Sequence, residues 1–166
     1  MTVQNALSGL ITQIDAAYDQ LTKQAEMLRD AFFNDAKQNL AEGRMHVPIV
    51  ITVTKIRGTY TSISWARMVA KKRNSNSKTM PFPRKISKGT GRGSKSFSYP
   101  ATCFTFLDPE MRHLVLQYEK VLTLVREEAN RLLQLRKDTI QLIEMDALTE
   151  ELCAKLTSNL SLSGRA

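Results

Sequence analysis

The sequence predicts an α+β fold: a long antiparallel helical coiled-coil hairpin with a basic antiparallel β module inserted at its tip. Three observations lead there. The 166 residues split by charge into three segments. Residues 1–46 and 108–166 each carry a slight acidic excess, whereas residues 47–107 hold twelve Lys/Arg and no Asp or Glu. Both flanks repeat apolar residues at steps of three and four, the period of a helix packed along a seam. The centre instead opens with β-branched residues and then alternates, the period of a strand.

The N-terminal helix is expected from about residue 3 to 42. Leu7, Ile11, Ile14, Tyr18, Leu21, Ala25, Leu28 and Phe32 form its seam, which then slips to Phe33, Ala36 and Leu40. Such a helix would be about 60 Å long at ~1.5 Å per residue. Gly43 is a fitting stop. The second helix begins at Asp108-Pro109-Glu110, which supplies an N-cap, a proline at the first helical position and a carboxylate at the positive end of the helix dipole. Its expected seam is Leu114, Tyr118, Val121, Val125, then Ala129 or Glu128, Leu132, Leu135 and Leu142, with an end near residue 145. Leu148–Leu160 either continues this helix or folds back, and the last residues fray.

Between the helices, Val47–Ile56 reads as a strand, Arg57-Gly58 as a turn and Thr59–Val69 as a second strand. Ile63 and Trp65 lie on the face expected to meet the core. Tyr60, Ser62, Ser64, Ala66 and Met68 lie on the face expected toward solvent or ligand. Phe82–Ile86 and Ser94–Tyr99 suggest a second, weaker hairpin around Gly89–Gly93. Pro81 and Pro83 demote its first strand to an edge or a loop. The division into units follows the charge: a long helix over 1–46, a basic β-hairpin and loop module over 47–107, and helices over 108–166 that pack on the first.

Composition excludes several classes. No apolar run is long enough to span a membrane, and the N-terminus has no signal-peptide pattern. Cys103 and Cys153 lie fifty residues apart and have no ligand spacing, which points to reduced thiols and a cytoplasmic protein. A metal nuclease needs clustered carboxylates or histidines. The centre has no carboxylate and only His46 at its margin, so the expectation is a protein that is not an enzyme, with no metal and no cofactor.

The same charge distribution points to a polyanion. Lys and Arg neutralise phosphates and release counterions, and a two-stranded ribbon fits the major groove of DNA. The candidate nucleic-acid-binding residues are Arg57, Tyr60, Arg67, Lys71, Lys72, Arg73, Lys78, Arg84, Lys85, Lys88, Arg92 and Lys95. Among them Lys71, Lys72, Arg73 and Lys78 suit phosphate anchoring, and Arg57, Arg67, Arg73, Arg84 and Arg92 are the candidates for base edges, with those nearer the strands expected to supply selectivity. Tyr60 is the better aromatic candidate, since Trp65 sits in an apolar pattern. Gly89-Thr-Gly-Arg-Gly93 lacks the spacing of a phosphate-binding nucleotide loop.

One run of motifs carries a family resemblance. Ser62-Ile-Ser-Trp-Ala-Arg67, Pro83-Arg-Lys-Ile86, Phe97-Ser-Tyr99 and a helix with Glu119 and Arg126 follow one another after a long N-terminal helix. This resembles the MobI-type mobilization proteins of integrative conjugative elements and conjugative plasmids, over about residues 45–135. The resemblance implies a non-enzymatic auxiliary relaxosome component that recognises an origin of transfer. Candidate partners are double-stranded DNA, a relaxase and a second copy of the chain, with no membrane. Two rival readings remain open: an RNA-binding or ribosome-associated protein, and a coiled-coil interaction protein whose basic loop meets an acidic partner. No role is carried over to Glu119 or Arg126, which lie two turns apart on one helix face.

Overall fold

In the computed structural model, residues 3–40, 46–56, 60–70, 81–88 and 97–163 are described. They form helix α1 (Val3–Gln38), strands β1 (Ile49–Ile56), β2 (Tyr60–Ala70) and β3 (Pro81–Lys85), a 3₁₀ turn (Ala101–Phe104) and helix α2 (Pro109–Ser163). The fold is α+β: two long helices packed together, with a three-stranded antiparallel sheet inserted between them in the chain. The chain divides into two compact units, Gln20–Glu128 and Met1–Asp19 with Ala129–Ala166.

In the unit of residues 20–128, α1 buries Leu21, Ala25, Phe32 and Ala36, the face its heptad repeat predicts. The seam steps from Phe32 directly to Ala36, leaving Phe33 exposed beneath the Lys37 ammonium, so the slip to Phe33 is not realised. The helix stops at Gln38, four residues short of the expected end. Asn39 closes its last turn, with backbone and side-chain amides both donating to the Asp35 carbonyl. Gly43 lies outside the described residues.

The sheet order is β1-β2-β3. β1 and β2 pair as the expected hairpin, with Ile51 opposite Trp65 and Val53 opposite Ile63. The proposed second hairpin is replaced by a simpler arrangement. Residues 81–85 add to β2 as a third strand, while residues 97–99 form a turn and extended chain. Residues 94–96 lie outside the described residues. Two prolines in five residues suit an edge strand, which needs hydrogen-bond donors on one side only.

Trp65 is fully buried at the centre of the core. Its ring meets Phe32 and Phe104 edge-on at centroid distances of 4.9 and 5.7 Å, and Phe32 in turn meets Tyr118 at 5.3 Å. The opposite face of β2 differs from expectation, because Ser64 and Ala66 are also buried. They are small residues on the middle strand, and taller neighbours flank them: Val50 and Lys85 stand on either side of Ala66. Thr52 bonds the Ser64 hydroxyl at 2.8 Å.

α2 starts as its cap predicts, with the Met111 amide donating to Asp108 Oδ1 at 2.8 Å. Its buried face is Met111, Val115, Glu119, Leu122, Val125 and Arg126. The expected seam was displaced by one position, so Val121 is exposed. Two charged residues occupy seam positions, and an apolar pattern cannot register them. The helix then runs unbroken to Ser163, so Leu148–Leu160 continues it rather than folding back.

In the other unit, α1 buries Ile14 and Tyr18 and α2 buries Thr139, whose hydroxyl donates to the Leu135 carbonyl of its own helix. Asp15 and Arg136 link the two helices at the surface at 2.7 Å. The predicted seam residues Leu135 and Leu142 are about half exposed.

Candidate nucleic-acid interface

β2 positions the site, and a buried ion pair positions β2. Glu119 and Arg126 stand seven residues apart on α2 and meet in two parallel contacts of 2.8 and 3.0 Å. Each also holds the β module. The Trp65 indole donates to Glu119 Oε2 at 2.6 Å, and the Tyr99 backbone amide donates to Oε1 at 2.7 Å. Arg126 Nε donates to the Ile63 carbonyl at 3.1 Å and Nη1 to the Phe97 carbonyl at 2.5 Å. Burial pushes the Glu119 carboxyl up, but the Arg126 guanidinium and the two N–H donors outweigh it and hold it below the usual range. A buried charge pair is tolerated when its remaining hydrogen-bonding capacity is met, and here it is.

Two groups of candidate residues come together on this frame. On the face shared with Trp65, Arg67 lies directly opposite Arg84, both exposed. The Arg67 guanidinium stacks 4.3 Å above the centroid of Phe106. It therefore covers Phe106 and not Trp65. Like charges set opposite one another on a sheet repel, so this pair does not stabilise the free protein.

The second group lies along the outer edge of β2. β3 pairs with residues 66–70 only, so among the described residues the 60–65 edge has no strand partner. A cavity of about 440 Å³ opens there, lined by Ser62, Ser64, Lys85, Ser87, Lys88 and Tyr99. The Lys88 ammonium lies 5.2 Å from the centroid of the Tyr99 ring. Burial first, and the nearby Arg126 charge second, pull Lys88 down to about 8, against the opposing pull of Glu119.

Tyr60 is 41% exposed at the start of β2, on the opposite face from Trp65 and Arg67. Arg57, Lys71, Lys72, Arg73, Lys78, Arg92 and Lys95 lie outside the described residues. Among the described residues no group of His, Cys, Asp and Glu could hold a metal ion, and no helix is long and apolar enough to cross a membrane. The sequence did not single out Phe106, or Tyr99 as a cavity wall. Its one pointer was Glu119 and Arg126, charges within an otherwise apolar helix face, whose role only the fold reveals.

A family model for MobI protein matches residues 21–140 of the 166. The chain belongs to the MobI protein family. The matched region takes in the sheet, the Glu119–Arg126 pair and both groups of cationic residues. Membership associates this MobI protein with mobilization. Neither the curated proteins nor the solved structures contain a match to the chain.

Proposed function

We propose that this MobI protein is a non-enzymatic DNA-binding accessory protein that recognises an origin of transfer and assists relaxosome assembly in conjugative transfer. The observation that carries the reading is the acid-free, twelve-cation segment 47–107, whose sheet the Glu119–Arg126 pair ties to α2 through Trp65 and Ile63. Phosphate contacts from such a segment supply affinity, and arginines at defined strand positions supply selectivity. Lys71, Lys72, Arg73, Lys78, Lys85, Lys88, Arg92 and Lys95 are assigned to the phosphates. Arg57, Arg67 and Arg84 are assigned to base edges, with Tyr60 against the nucleic acid. The helices brace the module and offer surfaces to a relaxase or a second copy.

The test is binding of origin and random duplexes across a salt series. With about six phosphates contacted, affinity falls ~10³-fold between 50 and 200 mM salt. Arg67→Ala narrows the gap between origin and random duplex by ~1–3 kcal/mol, whereas Lys71, Lys72 and Arg73 replaced together by Ala weaken both about equally. Structured RNA that competes better than either duplex would replace this reading with an RNA-binding one. Purified protein with Mg²⁺ leaves supercoiled plasmid intact; reproducible nicking at one site would overturn the accessory role.

A further inference from the structure

We propose that the cavity on the outer edge of β2 is a phosphate-binding pocket, with Lys88 as its charge and the Tyr99 hydroxyl and Ser62 as its hydrogen-bonding lining. The inference rests on the DNA-binding reading to this extent: in the DNA complex the phosphate is one of the backbone.

Four features converge there. The first is shape and composition: two lysines, Lys85 and Lys88, and three serines, Ser62, Ser64 and Ser87, line about 440 Å³ together with Ile63, Ile86 and Tyr99, room for a phosphate and accompanying water. The second is the Tyr99 hydroxyl. Tyr99 is only 2% exposed; its buried hydroxyl oxygen faces the Trp65 backbone N–H, and among the described residues no acceptor takes its proton. A buried donor left unpaired costs stability, and such groups are uncommon in folded proteins. An oxygen-rich anion at the cavity would give it an acceptor.

The third feature is the strand edge. The Ile63 carbonyl takes Arg126 and the Trp65 carbonyl takes the Ile86 amide, so both carbonyls point to this edge. In an antiparallel strand the N–H of a residue points the same way as its carbonyl. The Ile63 and Trp65 N–H groups therefore face the anion's side as well. The fourth is the charge balance around Lys88. Arg126 and Lys85 add positive charge to its surroundings, and Glu119 opposes them. Glu119 is already held by Arg126, Trp65 and the Tyr99 amide. Burial first, and the neighbouring positive charges second, pull Lys88 toward its neutral form, and an incoming phosphate offsets both by pairing the ammonium. Phosphate binding is then coupled to proton uptake by Lys88.

The experiment titrates inorganic phosphate, and separately a short duplex, into the full chain at pH 8. Calorimetry in two buffers of different ionisation enthalpy reads the protons taken up, with sodium chloride at matched ionic strength as the control. The expected result is saturable phosphate binding with net proton uptake. Lys88→Gln abolishes the uptake and weakens phosphate at least about tenfold. Tyr99→Phe weakens it roughly three- to tenfold while leaving the melting temperature of the unliganded protein at or above that of wild type. A Tyr99→Phe variant that melts lower and binds phosphate as wild type would show that the hydroxyl serves the fold alone.

The two titrations separate the sources. Lys88-dependent uptake with duplex assigns the pocket to a backbone phosphate. Uptake with inorganic phosphate alone keeps the site and assigns it to a free phosphate. Duplex binding with no Lys88-dependent uptake in either titration overturns the pocket and leaves the DNA-binding reading standing. Phosphate uptake without any duplex binding keeps the pocket and overturns the DNA-binding reading.

Discussion

The same two helices are built differently in the two units of this protein. In residues 20–128, the inner face of α2 carries Glu119 and Arg126, both buried and both fully engaged. In the unit of residues 1–19 and 129–166, the buried positions are Ile14, Tyr18 and Thr139, and the ion pair Asp15–Arg136 lies outside at the surface. The difference follows from what each stretch of helix faces. A helix presents no unpaired backbone groups along its sides, so an apolar seam suffices against another helix. A sheet edge presents carbonyls, and here also an indole N–H, which must be met once buried. α2 meets them with one acid and one base.

The largest test of this contrast is Arg126→Met. It strands the Glu119 carboxylate in the core and removes the donors to Ile63 and Phe97, and should cost ~3–5 kcal/mol in urea unfolding. A loss below ~1 kcal/mol would erase the distinction between the units. Ile14→Ala in the apolar seam should cost ~2–4 kcal/mol, from lost burial and the cavity left behind. Acid sharpens the contrast differently. The Glu119 carboxyl titrates lower in the fold than in the open chain, so the stability it contributes is present above its unfolded pKa and is lost as pH falls through the folded one. Unfolding followed from pH 6 downward should show this loss in wild type, and Glu119→Gln should be less stable at pH 6 but flatter with acid. The smallest effect is expected from Arg136→Ala, since the exposed pair with Asp15 contributes only ~0–1 kcal/mol. A larger loss in thermal melts would show that charge matters equally in both units.

How much of this was legible in the sequence divides along the same line. The α1 seam was readable at Ile14, Tyr18, Leu21, Ala25 and Phe32 because the buried positions there, Thr22 apart, are apolar or aromatic. The α2 seam was read one position out because Glu119 and Arg126 look like solvent-facing residues until their partners, more than fifty positions earlier at Trp65 and Ile63, are known. The β1–β2 hairpin showed itself by alternation. β3 was legible only as a weak edge strand or loop over Phe82–Ile86, and its partner was not, since nothing local in Pro81-Phe-Pro-Arg-Lys85 points to β2. The cationic residues were legible as charge. Their grouping was not: Arg67 meets Arg84 through strand register and Phe106 through packing, neither of which is local in sequence.

The apposition of Arg67 and Arg84 has a consequence for the protein when nothing is bound. Salt competes with the protein for phosphates and weakens a complex. The same salt, with a screening length of about 10 Å at 0.1 M, quiets the repulsion between two exposed guanidiniums and among the other cations of an acid-free segment. The unliganded sheet should therefore be steadiest in the brines that would dissociate the proposed DNA complex, and least steady in the dilute buffers that would favour it. In those dilute buffers a polyanion does for the sheet what small ions do in brine, and ligand and fold come to depend on each other.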